Sequence, residues 1–121
     1  MSSRPRADQP DVRRLGYGVR YQIVVQIPED GADTLDMLVA LEDKLMASVG
    51  DVAEVDGHDL GSGEANVFLL TSNPRAAFRE MLPILESAGM LNRVRVAFRD
   101  LHGETYTVLW PERLSAAFSV A

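Results

Sequence analysis

Hydrophobic and polar positions change period several times along the chain, and each change marks an element. Tyr21 to Ile27 (YQIVVQI) is short and β-branched, and Pro28 with the turn residues Glu29, Asp30 and Gly31 stops it. That pattern predicts a first strand. In DTLDMLVALEDKLMASVG, Leu35, Leu38, Leu41, Leu45 and Val49 recur at steps of three and four, the spacing of one apolar helix stripe. Asp33 is the expected N-cap, and Gly50 the expected left-handed stop. Val52 to Asp59 and Ala65 to Thr71 then read as two strands, joined through Leu60-Gly61-Ser62-Gly63-Glu64, where glycines at positive φ make a tight reversal.

Asn73-Pro74 opens a second helix, with Asn as cap and Pro in the first turn, where its missing N–H does no harm. Phe78, Met81, Leu82, Leu85 and Ala88 form its apolar side, and Gly89 ends it. Pro83 falls inside this pattern and is expected to kink or split the helix by clashing with the Arg79 carbonyl. Val94, Val96 and Phe98 alternate with Arg93, Arg95 and Arg99, which predicts a half-buried strand. His102-Gly103 turns the chain into a last strand, Thr105 to Trp110, closed by Pro111. Residues 1–16 read as a basic disordered tail, 17–111 as a single domain, and 112–121 as a second tail with a helical turn through Leu114, Ala117 and Phe118.

The order is therefore β-α-β-β-α-β-β, and the loops at Asp59 to Glu64 and Asp100 to Glu104 echo each other after each helix. Split βαβ units of this kind predict an α+β, ferredoxin-like fold: an antiparallel sheet with two helices on one face, the fifth strand extending an edge.

Charge and composition narrow the function classes. The chain has 121 residues, one domain's worth, and no cysteine, so disulfides, thiolate metal sites and thiol catalysis are excluded. No apolar run approaches the ~18 residues that span a bilayer, and the expected address is cytoplasmic, without a membrane partner. Net charge is −6, unevenly placed: residues 1–20 carry five arginines against Asp8 and Asp11, while residues 21–121 carry seven basic and sixteen acidic groups. An acidic body repels phosphate backbones, so nucleic acid is not the expected partner.

The segment DGHDLGSGEANVFLLT, residues 56–71, holds the candidate chemistry. On a regular strand, Glu54, Asp56 and His58 share one face, the one away from the helices. A linear row of this kind converges poorly on a divalent ion, and its spacing is not that of an EF-hand, so no metal site is expected. Gly57, Gly61 and Gly63 match neither a dinucleotide nor a phosphate loop, so no cofactor is expected. None of the serines lies in a nucleophile elbow. His58 with Asp59 or Asp56 could form a general-base pair, and His58, Asp59 and Glu64 at the hairpin mouth are the weak catalytic candidates. Arg93, Arg95 and Arg99 are expected on the same far face as the acidic groups, which makes Glu54, Asp56, His58, Arg95 and Arg99 a candidate interaction face. Phe98, Tyr106 and Trp110 are expected to point inward, leaving no aromatic platform for RNA.

The run DGHDLGSGEANVFLLTSNPRAAF, with Phe98-Arg99-Asp100-Leu101 and Leu109-Trp110-Pro111, resembles a group of small bacterial proteins without assigned activity, some of them encoded beside toxins. It covers about residues 20–111. The resemblance implies a binding protein rather than an enzyme and brings no catalytic residues. The expectation is thus a small binding domain acting through its acidic surface or open sheet face on a protein partner, a basic one such as a nucleic-acid-cleaving toxin included. The alternative is a small enzyme or ligand-binding domain using His58, Asp59 and Glu64. Self-association is left open.

Overall fold

A computed structural model describes residues 20–29, 33–61 and 63–111. The expected tails 1–16 and 112–121 lie outside the described residues, as does the helical turn read in the second. Seven elements follow in the order anticipated: β1 (Tyr21–Pro28), α1 (Thr34–Val49), β2 (Glu54–Gly61), β3 (Glu64–Thr71), α2 (Pro74–Ser87), β4 (Arg95–Asp100) and β5 (Thr107–Trp110). The fold is α+β. The five strands form one sheet in the order β2-β3-β1-β4-β5, with every neighbouring pair antiparallel. No helix among the described residues is long and apolar enough to cross a membrane.

The most β-branched segment, β1, takes the middle of the sheet because both its edges and both its faces can be covered there. Ile23, Val25 and Ile27 enter one large core with Val67 and Leu69 of β3, Leu38, Leu41, Leu45 and Val49 of α1, and Phe78, Met81 and Leu85 of α2. This side is the core face of the sheet. On the far face Val24 and Ala97 are buried beneath Phe68, Tyr106 and Val108 in a second, smaller cluster. Tyr106 therefore departs from expectation: it precedes β5, which begins at Thr107, and it packs on the far face, while Phe98 and Trp110 join the core face.

Several local expectations change. Asp33 occupies the N-cap position of α1 but makes no side-chain capping bond, and Gly50 has right-handed helical φ (−58°), so no left-handed stop ends this helix. Leu35 lies off the buried stripe, 45% exposed. The Asn73 cap does form, its side chain accepting from Ala76 N–H at 3.1 Å. Pro83 does not split α2; Met81 and Leu85, both fully buried, hold the turns on either side of it in the core. In the hairpin Gly63 has positive φ (81°) but Gly61 does not, and Gly57, inside the expected strand, has φ of 136°.

Gly57 marks the largest departure. Val55 pairs with Leu69 and Gly57 with the next residue, Phe68, so Asp56 is an extra residue, a β-bulge. Each position after it changes face. Glu54, opposite Leu70, stays on the far face, whereas His58, opposite Val67, lies on the core face. The expected single row of Glu54, Asp56 and His58 does not exist.

Candidate interaction surface

The bulge brings His58 to α1. On that helix, residues 38, 41, 45 and 49 face the core. Beside them runs a second stripe at steps of four, three and four: Leu35, Val39, Glu42 and Met46. Its three apolar members are exposed, at 45%, 41% and 53%, and the remaining exposed large hydrophobic among the described residues is Leu60 of β2, at 41%. Leu60 pairs with Ala65, which belongs to the core cluster, so Leu60 shares the core face of β2 with His58. Glu42, only 8% exposed, sits in the middle of the stripe, and its Oε1 lies 2.8 Å from His58 Nδ1. That bond fixes which flank of α1 meets β2.

Chemistry sets the sense of the bond. A carboxylate in its ionised form can only accept, and with that form Nδ1 is the donor and Nε2 of a neutral ring is left as an acceptor. Two acids, Asp36 and Asp43, border Val39 on its outer side, and both are exposed. The surface is thus an apolar strip with an acidic margin on the helix, abutting the outermost strand of the sheet.

The residues expected to meet at the hairpin mouth do not meet. Asp59 and Glu64 lie on the far face and are tied into a polar row there. Asn66 Nδ2 donates to Asp59 Oδ1 at 3.0 Å, and Gln26 Nε2 donates to Asn66 Oδ1 at 3.2 Å and to Glu64 Oε1 at 3.1 Å. Gln26 and Asn66 are both buried, so these bonds satisfy amides that burial would otherwise leave at a cost. His58 is on the other side of the sheet, bonded to Glu42 instead.

The far-face arginines differ in use. Arg95 is exposed opposite Gln26. Arg99 is occupied: Nε donates to Gln22 Oε1 at 3.1 Å, Nη1 donates to the Leu101 and Gly103 carbonyls at 3.3 and 3.0 Å, and the guanidinium stands 6.0 Å from the Tyr106 ring. It pins the turn between β4 and β5. Asp56, exposed at the bulge, stands apart from both groups, and the desolvation it does undergo raises its carboxyl above the ordinary value of 3.8.

No group of three or more His, Cys, Asp or Glu among the described residues could hold a metal ion. A cleft of about 360 Å³ is lined by Arg75, Phe78, Arg79, Val108 and Leu109, and another of about 280 Å³ by residues of α1 and of the segment that follows α2; neither includes His58 or Glu42. No protein-family model, curated protein or solved structure matches the chain.

Sequence reasoning missed Glu42. The signal was present: positions 35, 39 and 46 are apolar in addition to 38, 41, 45 and 49, so the apolar arc is wider than one buried stripe, and Glu42 interrupts it. A carboxylate inside an apolar arc needs a partner from another element.

Proposed function

We propose that this chain is a protein-binding domain of ferredoxin-like architecture whose contact surface is the flank formed by α1 and β2. The observation that carries this reading is the clustering of exposed large hydrophobics: Leu35, Val39 and Met46 in one helix stripe, and Leu60 on the adjoining strand. Scattered exposed apolar residues are ordinary, whereas a contiguous patch with a polar margin marks a binding surface. The acidic residues beside the patch, and a body with sixteen acidic against seven basic groups, favour a basic partner by steering its approach. A basic nucleic-acid-cleaving toxin fits that description, and a bacterial cytoplasm is the matching setting. Nucleic acid and membrane are not the proposed targets.

The enzyme reading draws on the carboxylate–imidazole pair, an arrangement that orients a general base. It also requires Asp59 and Glu64 beside His58, and these lie across the sheet. The pair is better read as the strut that fastens α1 to the edge strand.

Affinity capture from lysate of the source cell tests the proposal, with wild type, Val39→Asp/Met46→Asp and Arg95→Ala compared in parallel. The expected result is a defined basic protein retained by wild type and Arg95→Ala and lost from the flank variant. A partner kept by the flank variant, or lost with Arg95→Ala, would refute it.

A further inference from the structure

The flank includes a strand edge that no other strand of the described residues pairs with. β2 is the outermost strand and pairs with β3 alone, which leaves the main-chain N–H and C=O groups along its other edge without strand partners. The bulge at Asp56 interrupts that edge in its first half. Beyond it, Gly57 to Gly61 run in unbroken antiparallel register with Phe68 to Glu64.

Side chains alternate along this regular half. His58 and Leu60 lie on the core face, beside the exposed stripe of α1, and Asp59 lies on the far face. A strand laid along the edge would place every second side chain against Leu60 and the Val39 region of α1. Its intervening side chains would stand on the side of Asp59. The complementary sequence therefore alternates apolar and basic residues.

A second copy of this chain does not meet that description. Two copies of the regular half, residues 57–61, paired antiparallel about a two-fold axis through their midpoint would set Asp59 directly across from Asp59, and like charges directly across strands destabilise the pairing. Joining β2 to the opposite edge, β5, offers Thr107 to Trp110, a segment without a basic residue, and such a head-to-tail contact does not close.

We infer that the domain binds its protein partner by strand addition: an extended segment of alternating apolar and basic residues pairs with the free edge of β2 at residues 58–61 and buries its apolar side chains against α1. This rests on the α1–β2 flank being the binding surface, and adds the backbone pairing and the sequence class of the ligand.

The probe is the peptide acetyl-Lys-Val-Lys-Val-Lys-Val-Lys-amide, carrying a fluorescent label and titrated against the full chain by anisotropy. Controls are a block peptide of the same composition and two versions N-methylated at alternate residues, one in each phase. In strand addition only one phase of N–H groups faces the receiving edge. The expected result is at least tenfold weaker binding for the block peptide, and for one methylated phase but not the other, with Leu60→Asp and Val39→Asp each weakening the parent peptide at least tenfold. Equal binding by both methylated phases, or no preference over the block peptide, overturns strand addition while leaving the flank as the surface if the Val39→Asp loss persists. Binding that survives Val39→Asp and Leu60→Asp but is lost with Arg95→Ala overturns the flank reading itself. Absence of binding by the parent peptide, with partner capture still sensitive to the flank variant, overturns strand addition alone.

Discussion

Removing His58 should cost far more than removal of a surface histidine, because its partner is a carboxylate that the fold has taken out of water. Glu42 Oε1 lies 2.8 Å from His58 Nδ1, with the glutamate side chain 11% exposed and the imidazole 33% exposed. A hydrogen bond to a charged group contributes roughly 1.5–3 kcal/mol net, and loss of one partner leaves the other desolvated. One third exposure of the ring lets water screen the pair, which brings the expectation to about 1–2 kcal/mol. Glutamate and alanine are both good helix formers, so Glu42→Ala carries little propensity cost of its own. In a double-mutant cycle, His58→Ala and Glu42→Ala should each destabilise by about 1–2 kcal/mol, and the double variant should be little worse than either single one. Urea unfolding at neutral pH reads this out. With a slope of roughly 1–3 kcal/mol per molar, each single variant lowers the midpoint by about 1 M at constant slope. A coupling energy below about 0.5 kcal/mol, the scatter of independent sites, would show that the pair does not fasten α1 to β2.

Gly57→Ala should destabilise by roughly 1–3 kcal/mol through backbone strain alone, since its φ is 136° and an added Cβ meets nothing within 4 Å; Gly61→Ala, without positive φ and equally uncrowded, should cost less than about 0.5 kcal/mol. Equal melting temperatures for the two variants would refute the placement of the bulge. Asp56→Asn should raise the melting temperature only slightly at pH 7, because Asp56 is exposed and water screens the effect: desolvation at the bulge raises the native carboxyl above 3.8, so the native state holds its proton more tightly and loses stability as pH rises through the native value. The gain should vanish below about pH 3, where wild type is protonated in both states, and a gain independent of pH would point to another cause. Asn73→Ala should lower stability by about 1 kcal/mol in thermal unfolding, through loss of the cap to Ala76 N–H; no change would mean that water replaces the cap.

Much of the fold was legible because its elements are set by local pattern. The stripe Leu38, Leu41, Leu45 and Val49 and the alternation of Val94, Val96 and Phe98 each reflect burial of one face, and a period of two or 3.6 records that directly, while the Asn73-Pro74 helix start records a local cap. Single-residue geometry was less legible. A left-handed conformation is expected at Gly50 and Gly61 because glycine permits it, yet permission is not requirement, and both adopt ordinary φ. For Pro83 the sequence predicts a kink or split from its local cost, about 3 kcal/mol, and the split does not occur. The opposing quantity, burial of Met81 and Leu85 on either side, is tertiary and stood outside any local pattern.

The site was hidden for a related reason. A strand's alternation assigns faces only while register holds, and one inserted residue reverses every later assignment. Glycine at position 57 permits that insertion, because φ of 136° is open to it and strained for other residues. Without the bulge His58 would stand with Glu54 on the far face, Glu42 would be a nearly buried carboxylate without its imidazole, and Asp59 would turn toward α1, bringing a second acid to the first. The bulge therefore does two things at once. It pairs Glu42 with the one side chain on β2 that can donate to it, and it sends Asp59 to the amide of Asn66. Each of those bonds stabilises a polar group that the opposite register would have buried beside its like. The same insertion breaks the first half of the exposed edge and leaves the half next to Leu60 regular. A single extra residue thus decides both where α1 is fastened and which stretch of the edge remains open to another strand.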